Sequence, residues 1–240
     1  MHRPMDRKWF VIFGLFSAST ALAQDPDLSV SVGARAWYTE WTTFSYFTDD
    51  SGQNNLALTQ VSADDKLAVM PMISVRYGNW LGSVSGLLST DFTFPSGTGT
   101  REEFDANIGY FVMPSLAFTL GYKRVTQSDG PNHYRPAGPV VGISANAPLG
   151  GVWSMYGSLG VGWLETPGGD AIDFKADYRL AELGLAYTID GNRMPRRWTF
   201  TGGYRVQVMT SKDAFIAEDG HSEDGRDTTQ GFTLGVMATF

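Results

Sequence analysis

The chain has 240 residues, no cysteine and a formal net charge of −7. This excludes a disulfide-stapled scaffold and argues against a nucleic-acid partner, which needs a basic surface. Charged residues make up only 18%, against about a quarter in ordinary soluble domains, while aromatics reach 13% and glycine counts 28.

Residues 1–23 open with MHRPMDRK, carrying Arg3, Arg7 and Lys8, continue with the apolar WFVIFGLF and finish on SASTALA. A basic start, a short apolar run and Ala21-Leu22-Ala23 are the pattern of a secretory signal peptide, and the run is too short to anchor in a bilayer. No cysteine follows the cleavage site, so a lipoprotein anchor is excluded. The expected organisation is a signal peptide over 1–23 and a single domain over 24–240. Cleavage removes three cations and Asp6, leaving the mature chain near −9. No later apolar run reaches the length of a spanning helix; the nearest, FVMPSLAF, contains Pro114. Contact with lipid therefore has to be made by strands.

Segments in which apolar and small or polar residues alternate recur at 28–41, 66–77, 80–94, 102–112, 116–125, 137–147, 152–164, 175–189, 197–210 and 228–240. A period of two is the mark of a strand with two different faces. The spacers alternate between long, at 42–65, 95–101, 126–136, 165–174 and 211–227, and short: GN, MPS, PLGG and DGNRMPR. Such alternation predicts an all-β, antiparallel up-and-down transmembrane barrel of about ten strands, with both termini at the short-turn end.

The two faces support this. On the first strand Leu28, Val30, Val32, Ala34, Ala36 and Tyr38 oppose Ser29, Ser31, Gly33, Arg35 and Thr39. A continuous apolar face suits hydrocarbon, and a small, polar, sometimes charged face does not suit a dry core. Aromatics gather near the short turns (Tyr77, Trp80, Tyr110, Phe118, Trp153, Tyr187, Trp198, Phe240) and near the long loops (Tyr38, Phe92, Phe94, Phe104, Trp163), as two interface girdles would. Two irregularities temper the count. Phe174, Tyr178 and Leu180 switch face in the eighth strand, which predicts a bulge or a strand rising above the membrane. Pro139 interrupts the sixth, which leaves an eight-stranded barrel with one unusual hairpin as the alternative.

The last ten residues, GFTLGVMATF, place Phe232, Leu234, Val236, Ala238 and Phe240 on alternate positions. This resembles the C-terminal signature of bacterial outer-membrane β-barrel proteins. The resemblance implies an outer-membrane location, insertion by the barrel assembly machinery that reads the final Phe, and lipid and lipopolysaccharide as surroundings of a monomer.

The inward register collects Arg35, Lys123 and Arg205 with Asp105 and Glu182, seven or eight positions from the periplasmic end of their strands and so near mid-membrane. On the lipid face such charges cost too much. Asp91 and Glu103 lie higher and Arg76 lower on the same inward register. Mixed charge at one level reads either as a salt-bridged plug or as a constriction selecting small solutes.

Other chemistry is sparse. After residue 23 the only histidines are His133 and His221. His221-Ser222-Glu223 lies in a Gly-rich loop, where neighbours seldom form a nucleophile and base, and the paired Asp and His–Asp positions of an omptin protease are not found. The acidic stretch with Asp213, Glu218, Asp219, Glu223, Asp224 and Asp227 does not match a calcium-loop spacing and reads as hydrated surface. No catalytic residue, metal site or cofactor is expected. The function expected is a narrow small-solute channel or a structural envelope barrel, then a surface-binding protein acting through 42–65 and 211–227, and an enzyme third. The processed protein is expected to begin at Gln24; N-terminal sequencing of envelope material checks this, and a retained Met1 overturns it.

Overall fold

The computed structural model describes residues 28–47, 57–95, 97–129, 132–166, 175–216 and 222–240. The signal-peptide reading and His221 therefore lie outside the described residues, as do Phe174, Glu218 and Asp219. Twelve strands are present: β1 Leu28–Phe47, β2 Ala57–Ser62, β3 Lys66–Tyr77, β4 Trp80–Phe94, β5 Gly97–Met113, β6 Leu116–Asp129, β7 Asn132–Tyr134, β8 Ala137–Gly150, β9 Trp153–Glu165, β10 Lys175–Asp190, β11 Arg197–Ile216 and β12 Ser222–Thr239.

Ten of them form the wall in the order β12-β11-β10-β9-β8-β6-β5-β4-β3-β1, and β1 pairs with β12 to close it. Short β2 and β7 add only to the upper ends of β1 and β6. All pairings are antiparallel. A path of paired residues that leaves β1 at Leu28 and runs once round the wall returns to β1 at Glu40, twelve residues further on. That stagger tilts the strands by about 40°. Tight turns at the short-turn end rest on Gly78 and Gly151, with φ of 57° and 58°, a left-handed conformation that a Cβ disfavours.

The outward face is apolar all round, with Ile73, Ile108, Leu120, Leu159, Leu183 and Leu234 exposed. The inward face is charged at mid-height, and small apolar clusters sit toward both ends among buried polar side chains such as Ser29, Thr199, Gln127 and Gln207. Leu81, Phe111 and Ala117 fill the short-turn end. Val125, Leu164, Ala176, Tyr178 and Met209 pack together toward the other end, and Trp41, Ala63 and Phe92 form a separate cluster.

Three expectations need correction. The long connections are partly strand: β1 runs on to Phe47, β11 to Ile216, and β12 starts at Ser222, because extending a ladder is the simplest way to satisfy backbone groups. β10 has no bulge; its register to both neighbours is continuous, and Tyr178 and Leu180 point inward with Glu182 to join the apolar upper lumen. The bulge lies instead in β4, between Leu87 and Thr90. It flips the strand's upper phase, so Phe92 is fully buried and Phe94 packs on Trp41 instead of joining a girdle, while Asp91 is exposed and accepts a hydrogen bond from Thr100.

Pro139 sits opposite Tyr122 without shifting register, and β8 pairs with both β6 and β9, which rules out the eight-stranded alternative. The backbone of Phe240 completes closure, its N–H donating to Val30 O at 2.8 Å. Deleting Phe240, or Phe240→Asp, is expected to reduce folded, membrane-inserted protein. Heat-modifiable migration on unboiled gels reads this, and normal amounts of folded variant would count against it.

Candidate functional site: the ion-paired lumen

The strand pairing puts opposite charges directly across from one another. Glu182 of β10 faces Arg205 of β11, and Asp105 of β5 faces Lys123 of β6. Cross-strand neighbours on one face sit close enough to interact, and here that face is the interior.

The five charges singled out in the sequence fall into two groups. In the first, Glu182 Oε2 accepts from Arg35 Nη1 at 2.8 Å and from Arg205 Nη1 at 3.0 Å, and Tyr156 Oη donates to Glu182 Oε1 at 3.1 Å. Arg35 reaches across β12 and β11 to do this. The residues opposite Arg35 and Arg205 on β12 are Gly235 and Gly231, which put no side chain in their way. Gly184 and Gly203 do the same for Tyr156, since a Cβ on either would lie within 2.7 Å of its hydroxyl oxygen.

In the second group Lys123 Nζ donates to Asp105 Oδ1 at 3.1 Å and to Glu103 Oε2 at 2.7 Å. Glu103 Oε1 also accepts from Arg101 Nε at 2.8 Å. Side chains of Arg35, Glu182, Arg205, Arg101, Glu103 and Lys123 are all at most 2% exposed. Rings bracket the cations: Arg205 lies 5.5 Å from the Trp37 centroid, Lys123 5.0 Å from Tyr178 and Arg101 5.6 Å from Trp41. Charge-assisted bonds in this number hold a shape.

The space left is small. A cavity of about 40 Å³ lies between Asp105, Arg205, Tyr178, Ser144 and Ser158, room for only a few water molecules. Nearer the short turns, Arg76 stacks on Phe111 at 4.4 Å.

Arg101, Tyr156 and Tyr178 were not anticipated as partners. Arg101, Glu103 and Asp105 stand at every second position, so carrying β5 a few residues further would have brought in Arg101; the other two carry no signal beyond parity. On the closing strand Phe232, Leu234, Val236 and Phe240 are exposed outward, and Ala238 is covered between its register partners Val32 and Trp198. His133 is exposed on β7 opposite Ser128. Of the acidic stretch, Asp224 accepts from Lys212 at 2.8 Å and Asp227 from the Trp41 indole at 3.1 Å. Among the described residues no group of three or more His, Asp or Glu is placed to hold a metal ion.

No protein-family model matches the chain, and no curated protein matches it. Solved structures do. The outer membrane protease OmpT of Escherichia coli superposes with a TM-score of 0.50 at 12% identity, covering 92% of this chain and 99% of that one. A FadL homologue of Pseudomonas aeruginosa and the toluene transporter TodX of P. putida match at 8% and 9% identity, each with a TM-score of 0.32, covering 89% and 90% of this chain and 90% of each of theirs. At 12% identity the likeness to OmpT is one of fold. The chain is a closed ten-stranded β-barrel of the kind found in bacterial outer membranes.

Proposed function

We propose that the protein is a closed, structural barrel of the outer membrane, exported by residues 1–23, inserted by the barrel assembly machinery and surrounded as a monomer by lipid and lipopolysaccharide. The observation that carries this reading is the filled lumen. Two buried ion clusters cross it at mid-height beside a void of about 40 Å³, and apolar clusters lie on both sides of them. Ten strands enclose little more than the eight-stranded size that side chains can fill, and here the side chains are large. A narrow solute channel would need the ion layer to part.

The reading contains no reaction. The lumen carboxylates are engaged by arginine and lysine, and His133 is exposed, apart from the acidic groups of the lumen. The activity of OmpT is not carried over by a likeness at 12% identity. One observation favours a second role in surface binding: β11 has 20 residues and β12 has 18, whereas about ten span the membrane. With short turns at the other end, the surplus forms a wall above the surface.

Purified barrel in a planar bilayer is expected to give no discrete conductance steps; stable steps in the wild type overturn the closed reading. Glu182→Gln leaves Arg35 and Arg205 without their shared carboxylate. Unpairing a buried charge costs about 3–5 kcal/mol, so this variant is expected to melt measurably earlier and to conduct, if at all, only after the loss. Under a channel reading its melting would stay unchanged while ion selectivity shifted toward anions.

A further inference from the structure

On its upper side the ion layer is bordered by buried polar atoms that no other residue satisfies. Among the described residues, Arg101 Nη1, Gln127 Nε2, Arg205 Nε, Thr229 Oγ1, the Trp37 indole N–H and both amide atoms of Gln207 have no hydrogen-bond partner. Each of these six residues is at most 5% exposed. Native interiors seldom leave buried donors unpaired, because each one forfeits its hydration without return, and a charged group forfeits most.

The strand register brings these side chains together. Gln207 of β11 lies opposite Thr229 of β12, and Thr229 opposite Trp41 of β1. From β5, three strands along the wall from β1, the Arg101 guanidinium reaches to 5.6 Å from the Trp41 ring centroid. Gln127 is the cross-strand neighbour of Arg101 on β6. Arg205, two residues below Gln207 on the same face, lies 5.5 Å from the Trp37 centroid. Trp41 is the common neighbour on which the two sides of the lumen meet.

The set is rich in donors. Arg101 Nη1, Arg205 Nε, Trp37 Nε1 and Gln127 Nε2 can only donate, and the Thr229 hydroxyl can donate or accept. Both ends of the Gln207 amide are unpartnered, so its NH2 can turn inward. Charge leans the same way. Within the layer Arg35, Arg101, Lys123 and Arg205 face only Glu103, Asp105 and Glu182. The further carboxylate, Asp227, sits higher, accepts from the Trp41 indole N–H at 3.1 Å and is within electrostatic reach of Arg101. A water molecule brings donors of its own and leaves the excess standing, whereas a small anion accepts from every side.

We propose that the upper lumen binds a small inorganic anion of the halide class, held by Arg101 Nη1 and the amides of Gln127 and Gln207, with Arg205 and Trp37 beneath it. Asp227 is its competitor, since an ionised Asp227 already balances the layer's surplus cation. The site goes beyond the closed-barrel reading and does not depend on it, because a resident ion carries no current.

The test uses the folded full-length barrel in detergent at constant ionic strength, with gluconate, too large for the site, exchanged stepwise for bromide. Thermal melting is the solution readout, and anomalous diffraction from bromide-soaked crystals gives the position. A saturable rise in melting temperature is expected, with a bromide peak within hydrogen-bonding distance of Arg101 and Gln207. Gln207→Glu keeps the shape and replaces the amide donor by a carboxylate. It is expected to weaken the bromide response about tenfold, the scale of one charge-assisted contact. Asp227→Asn is expected to strengthen the response, and Thr199→Val in the lower lumen to leave it unchanged. If Gln207→Glu does not fold, the wild-type peak and the Asp227→Asn response decide. Equal melting in gluconate and bromide with no peak at the site means water alone and overturns the proposal. A bromide response that neither Gln207→Glu nor Asp227→Asn alters marks an adventitious ion only, and overturns it too.

Discussion

Everything in this molecule follows from the need to pair backbone groups where water is absent. An unpaired N–H or C=O in hydrocarbon costs several kcal/mol, so a sheet that meets lipid has to close. Here closure is made between β1 and β12, from Ser31 opposite Thr239 to Thr42 opposite Thr228, with the Phe240 backbone adding the last bonds to Val30. Once the wall is closed, the period of two in each strand assigns every side chain to lipid or lumen, and there is no third environment within the span. The apolar outer face and the charged inner layer are consequences of one constraint.

The interior then has to be filled by whatever points inward, and the strand count leaves little room. The chain uses opposed charges at mid-height: Arg35, Arg101, Lys123 and Arg205 against Glu103, Asp105 and Glu182, with Asp227 higher up beside Trp41. Cations and anions balance when Asp227 is counted. Balance matters in a space of low dielectric, where an uncompensated charge is expensive. Glycines on β10, β11 and β12 are part of the same design, since they let two arginines and a tyrosine converge on one carboxylate.

Much of the wall was legible from sequence because its signal is repeated along every strand. The ten strands, the short turns and the lipid-facing positions of β1, β3, β11 and β12 follow from parity alone. What was not legible depends on single insertions of phase. The β4 bulge leaves no mark in composition, so Phe92 and Phe94 read as girdle residues when they are lumen residues. Tyr178 and Leu180 read as a fault in β10 because an apolar inward residue contradicts the polar rule, yet this part of the upper lumen holds an apolar cluster. In the ion layer, parity places a charge inward but says nothing about which neighbour it meets. Arg35 meets Glu182 three strands away, a contact fixed by barrel curvature and by the absence of side chains on the intervening glycines.

An apolar lumen would have filled the same volume, so the charged layer needs a reason beyond volume. Register supplies one. In a barrel with two apolar faces, a strand that slipped by one residue would still present acceptable side chains to lipid. In this chain the same slip in β6 would exchange inward Lys123 for outward Arg124 and strand Lys123 from Asp105 and Glu103. A slip in β10 would do the same to Glu182 and leave Arg35 and Arg205 unmatched. The charges therefore stabilise the correct pairing mainly by penalising the wrong ones.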